Sequence, residues 1–136
     1  MALNLGLEKG VKLSKKDKAR LMKKIKQGWK ATCLVPDYGF DESNNLILKS
    51  ENIRRIIKNV KIEEDGIFIE KAIENDKNLK ITWNSISKIS NSKEMRDGLK
   101  IELHNELSIS FSIYNSYKVK QITQYIANYI FEKANN

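Results

Sequence analysis

The 136-residue chain fits a single domain, and at that length folding buries enough surface to need no covalent staples. Its one cysteine, Cys33, excludes a disulfide framework, and no run approaches the roughly 20 apolar residues of a membrane-spanning helix. The formal net charge of +8 is carried entirely by the first thirty residues, with ten basic side chains against two acidic ones there and fifteen against fifteen in the remainder.

The preference for Lys, Ile and Asn reads as the bias of an AT-rich genome, which would spread lysine evenly along the chain. The asymmetry therefore needs another cause, and it points to an acidic partner such as a lipid surface or nucleic acid. Met1–Leu7 holds three leucines but no apolar run of signal length, and Ala2 stands where N-myristoylation requires glycine. The expected location is the cytoplasm, with peripheral attachment to a membrane as the option that the basic segment raises.

Ser14 opens a helix signal: its hydroxyl can cap the first turn, and Asp17 sets a negative charge at the positive end of the helix dipole. Lys15 to Gln27 are mostly good helix formers, and Gly28 is the expected stop. The apolar members Ala19, Leu21, Met22 and Ile25 make a narrow stripe. Lysines cover the rest, so the segment reads as a basic amphipathic helix, an arm over residues 1–28 ahead of a domain over 29–136.

Beyond Trp29, Lys30–Val35 is expected to be a strand ended by Pro36 and the turn-rich stretch 37–45, with Leu46–Lys49 as a short partner. Residues 50–59 are ambiguous, because Ile53, Ile56 and Ile57 recur at helical spacing with Arg54, Arg55 and Lys58 facing away. After Asp65-Gly66, Ile67, Ile69, Lys71 and Ile73 alternate with Phe68, Glu70, Ala72 and Glu74. Leu79, Ile81 and Trp83 follow a turn at Asn75–Asn78, and Ile86 and Ile89 continue the run. Past a polar loop over Asn91–Gly98 comes a hairpin turning at Asn105-Glu106. One arm carries Leu99, Ile101 and Leu103, and the other sets Leu107, Ile109, Phe111 and Ile113 against Ser108, Ser110 and Ser112. Period-two alternation over several strands implies an antiparallel sheet with one wet face. Asn115 or Ser116 should then cap a helix to about Lys133 whose stripe is Val119, Ile122, Ile126, Tyr129 and Ile130. That stripe must bury itself on the sheet.

The strand Val60–Ile69, the Ile81–Ile89 segment with its Trp83 turn, the Gly98–Ile113 hairpin and the final helix together resemble the bacterial pleckstrin-homology-like (PH-like) domains. The resemblance implies an α+β fold: a bent antiparallel sheet forming a half-open barrel, closed by a C-terminal amphipathic helix, here preceded by the basic N-terminal helix. It implies a binding module for phosphoinositides, peptides or proteins, with no cofactor. Phosphoinositide-binding members carry basic residues in the first hairpin, whereas the matching turns here, Glu63–Gly66 and Glu74–Lys77, are acidic or mixed.

No catalytic set emerges from the residues. His104 is the only histidine, so there is no His pair and no zinc spacing, and it reads as a surface residue. Cys33 reads as a small buried hydrophobe, and Glu63-Glu64-Asp65 as a solvated turn with no metal-ligand spacing. Trp83 reads as core, and the tyrosines are too dispersed for a base-stacking platform. The basic helix carries the functional expectation. Lys15, Lys16, Lys18, Arg20, Lys23, Lys24 and Lys26 are the candidates to meet a polyanion. Leu21, Met22, Ile25 and Trp29 are the candidates to insert into a membrane, unless that stripe packs on the body instead. The expected partner is an anionic lipid surface or a protein. The alternative is a nucleic-acid-associated accessory protein, with lysine over arginine favouring nonspecific attraction.

Overall fold

Ser14 caps the first full helix as its hydroxyl position suggests: Oγ accepts from the Asp17 amide (3.2 Å), and α1 spans Lys15–Gln27. The computed structural model describes residues 3–6, 12–95, 98–113 and 119–135. The described strands are β1 (Asn4–Leu5), β2 (Trp29–Phe40), β3 (Leu46–Ile62), β4 (Gly66–Ile73), β5 (Lys77–Thr82), β6 (Ile86–Asn91), β7 (Gly98–Leu103) and β8 (Ser108–Ser112), followed by α2 (Val119–Ala134). They form one curled, half-barrel sheet in the order β1-β6-β7-β8-β2-β3-β4-β5. All described pairings are antiparallel except the two-residue β1, which lies parallel to β6. The fold is thus α+β, with a helix near each end of the chain. The expected cap of α2 at Asn115 or Ser116 lies outside the described residues.

Two stretches depart from the sequence reading. β2 does not end at Pro36 but runs on to Phe40, because the proline sits where the ladder is interrupted. Val35 pairs with Ile53 and Asp37 with Ser50, so two residues of β3 oppose the single Pro36, and no amide is required of it. β3 is one continuous strand and contains no helix. Its β-branched content (Ile53, Ile56, Ile57, Val60, Ile62) suits a pleated surface. Strand alternation sends Ile53, Arg55 and Ile57 to one face and Arg54, Ile56 and Lys58 to the other, so Arg55 does not face away with its basic neighbours. Arg55 lies opposite Cys33, with a guanidinium nitrogen 3.9 Å from an Asp37 carboxylate oxygen.

Two smaller shifts follow from bulges and packing. The β4 alternation changes phase at Lys71, which takes a positive φ of 51° and donates its amide to Asn78 Oδ1 (2.9 Å). Ala72 and Ile73 are then both buried. On β8, Ser110 is 2 % exposed although it belongs to the row expected to be wet. Leu34 and Lys100 flank it in register, and Arg54 and Glu94 stand around the same hollow.

The core gathers inside the curl. Ala31, Cys33 and Val35 of β2, Ile67 and Ile69 of β4, Leu99 and Ile101 of β7, and Ile109 and Phe111 of β8 are buried there. Ile122, Ile126, Ala127 and Ile130 of α2 close it, with Tyr129 half-buried at the margin. Leu21 and Ile25 of α1 belong to the same cluster.

Candidate anion-binding face

Helix α1 divides its residues between core and solvent. Leu21 and Ile25, four apart and so stacked on one face, are 5 % and 0 % exposed. Met22 is half-buried, and its sulfur accepts from the Tyr125 hydroxyl of α2 at 3.9 Å. Ala19, grouped with this stripe in sequence, is exposed. The helix ends at Gly28, whose amide donates to the Lys24 carbonyl (2.8 Å) and whose φ of 93° suits glycine. A Cβ there would lie 1.7 Å from Asn59 Oδ1, so the helix end is pressed against β3.

Trp29 follows directly and is 5 % exposed. Its indole N–H donates to the Ser112 carbonyl (3.2 Å), and its ring lies tilted against Phe111 with centroids 6.0 Å apart. Of the four residues considered for membrane insertion, Leu21, Ile25 and Trp29 are therefore core and Met22 is a core margin. In this conformation none of them stands out from the surface.

The basic residues stand in solvent. Lys15, Lys16, Lys18, Arg20, Lys23 and Lys26 are exposed, and Asp17 is the only acidic residue on the helix. Lys24 is half-covered, and burial lowers its pKa. With Gly28, Trp29 and Lys30 it lines a shallow groove of about 500 Å³ where helix meets sheet.

Beyond that groove the outer face of β2–β3 continues the positive surface. Lys30, Arg54 and Lys58 are all exposed, with Ile56 between the last two. Sequence reasoning missed this extension because it allowed 50–59 as a helix, which turns Ile56 inward. No alternation of apolar and charged residues over Ile53–Lys58 announces it, because Arg55 faces inward and Ile56 outward.

The other candidates settle into structural surroundings. Cys33 is buried, and loss of solvent pushes its thiol up to about 12. His104 is exposed in the turn after β7, its amide donating to the Ser85 carbonyl (3.0 Å). In the acidic turn before β4, Lys80 bridges Glu63 and Asp65, and its hydrogen bond holds the Asp65 carboxyl below its ordinary pKa. Trp83 is half-buried, its indole donating to the Glu64 carbonyl (2.7 Å). Among the described residues no three metal-ligating side chains converge, and no helix is long and apolar enough to cross a membrane.

No protein-family model and no curated protein sequence matches the chain. Among solved structures it is similar to inner membrane complex sub-compartment protein 3 of Toxoplasma gondii. The TM-score is 0.54 at 14% identity, over 97% of this chain and 94% of that one. At that identity the likeness is one of fold alone. It extends over nearly the whole of both chains.

Proposed function

We propose that this protein is a non-enzymatic PH-like binding module that docks on an anionic membrane surface through the basic face of α1. The curled sheet with its C-terminal helix is the architecture that the PH-like resemblance implies. The observation that carries the functional reading is the division of α1: its apolar face is committed to the core, while six cations of the same helix stand in solvent with one acidic residue among them. Each Lys or Arg held near an anionic leaflet contributes about 1 kcal/mol, so six give a nominal ceiling of about 6 kcal/mol and a weak, reversible attachment. The non-enzymatic reading is supported by the thiol of Cys33, buried and un-ionised, and by the solitary His104.

The test is co-sedimentation of the protein with vesicles of phosphatidylcholine containing phosphatidylserine, beside gel-shift assays with duplex DNA and RNA. Lys18→Glu with Lys23→Glu should abolish vesicle binding while leaving the melting temperature nearly unchanged, since exposed charges contribute little to stability. Binding to nucleic acid and not to vesicles would replace the lipid reading with that of a nucleic-acid-associated accessory protein. Binding to neither would leave a protein partner as the remaining class and end the membrane proposal.

A further inference from the structure

We propose that the outer face of β2–β3 centred on Ile56 is the part of this protein that enters the bilayer. It would supply the apolar contact that the α1 stripe, held in the core, does not. This rests on the membrane reading above and deepens it by naming the surface and the residue that inserts.

Ile56 is 72% exposed, the most exposed of the large hydrophobic side chains that the described surface presents. Arg54 and Lys58 flank it along its own face, both exposed. Its partner across the strand pair is Thr32, whose amide is taken up by the Ser112 hydroxyl at 3.0 Å. Ile56 projects into solvent from this strand pair.

Charge frames this knob on the side toward α1. Lys58 follows Ile56 two residues on along the same face of β3. Lys30 of β2 lies opposite Lys58 and Asn59 at a bulge of β3, between the pairs Trp29–Val60 and Ala31–Ile57. Through Asn59, against which Gly28 is pressed, this corner abuts the end of α1 and the groove holding Lys24. Two acidic residues, Glu51 and Glu94, lie toward the Arg54 end, around the hollow over Ser110. An exposed apolar side chain rimmed by lysines matches a leaflet in which anionic headgroups surround an apolar interior. A nucleic acid would match the lysines but has no use for Ile56, and this part of the face offers no exposed aromatic ring for base stacking.

The experiment uses the full chain and the same phosphatidylserine-containing vesicles, with pure phosphatidylcholine vesicles and duplex DNA as comparisons. Ile56→Ser should weaken binding to the anionic vesicles by about tenfold or more, the scale of one exposed aliphatic side chain leaving an apolar phase. Its melting temperature should match the parent's, because the side chain is already in water. In Ile56→Cys, an environment-sensitive fluorophore can be attached at residue 56 alone, since the other thiol, Cys33, is buried. Its emission should shift to the blue on anionic vesicles and stay put with DNA.

If Ile56→Ser binds vesicles as the parent does, or the fluorophore does not shift, the insertion surface is refuted even where the α1 variants still lose binding. If Ile56→Ser loses binding and the α1 charge reversals do not, the helix reading falls and the sheet face stands. A parent protein that ignores vesicles altogether overturns both.

Discussion

Truncating Ile25 to alanine tests whether α1 is part of the folding unit or an arm beside it. The side chain is 0 % exposed and sits in the cluster that joins α1 to the sheet and α2. Ile25→Ala removes three carbon groups, worth about 2.5 kcal/mol at about 0.8 each in transfer alone. The cavity left between helix and sheet raises the expected loss to about 3–4 kcal/mol. For a chain of this size that corresponds to a fall in melting temperature of about 10–20 °C. Lys23→Glu, on the solvent face of the same helix, should change stability by less than about 0.5 kcal/mol. Urea unfolding followed by circular dichroism, with thermal melts of both variants, measures the contrast. A melting temperature for Ile25→Ala within a few degrees of the parent would refute the reasoning. So would a separate early transition for the helix, since either result means that α1 does not share the cooperative core.

Phe111→Ala should cost about 3–5 kcal/mol, since it empties the space against Trp29, whereas Ser110→Ala beside it should cost under about 1 kcal/mol; equal losses in urea unfolding would contradict the register of β8. The thiol of Cys33 should resist a disulfide-exchange reagent at pH 8 in the folded protein and react at once in denaturant, and prompt reaction of the native protein would show that the β2 core is open. Glu74 accepts from Lys49 Nζ (2.9 Å) and from the Phe40 amide (3.1 Å), and these bonds hold its carboxyl below the usual 4.5. Its contribution to stability is therefore present above that value and fades as pH falls through the lowered one, so Glu74→Gln should flatten the acid limb of a plot of unfolding midpoint against pH, and an unchanged limb would contradict the assignment.

The β7–β8 hairpin was legible because its apolar residues recur every second position. Leu107, Ile109, Phe111 and Ile113 alternate without interruption, and the buried residues of β8 and β7 follow the pattern except at Ser110. The first hairpin and the end of β4 were not legible, each for a physical reason. Pro36 is a breaker only where its missing amide matters, and a ladder that skips a residue there removes the penalty, which no local pattern announces. Lys71 resets the β4 alternation through a positive φ, a conformation that lysine does not advertise. The parallel pairing of Asn4–Leu5 with β6 joins residues more than eighty apart, beyond the reach of periodicity.

The candidate site was legible in its charges and obscure in its apolar part, and the cause is arithmetic. A separation of four residues falls on one face of a helix and on one face of a strand alike. Leu21 with Ile25, and Ile53 with Ile57, therefore point inward under either reading. Three-residue separations decide between the two, and Ile53 to Ile56 is one of them: inward on a helix, outward on a strand. The structure takes the strand, and one isoleucine crosses from core to surface. In α1 the same reasoning runs the other way. An amphipathic helix beside a body with an open apolar edge has two places to put its stripe, and burial against carbon competes with burial in lipid. Leu21, Ile25 and Trp29 take the protein side, with Trp29 fixed by its indole hydrogen bond and its contact with Phe111. The contact proposed for an anionic surface combines the lysine face of α1, the Lys24–Lys30 groove and the projecting Ile56. These lie on different elements, and no linear stretch of sequence shows them together.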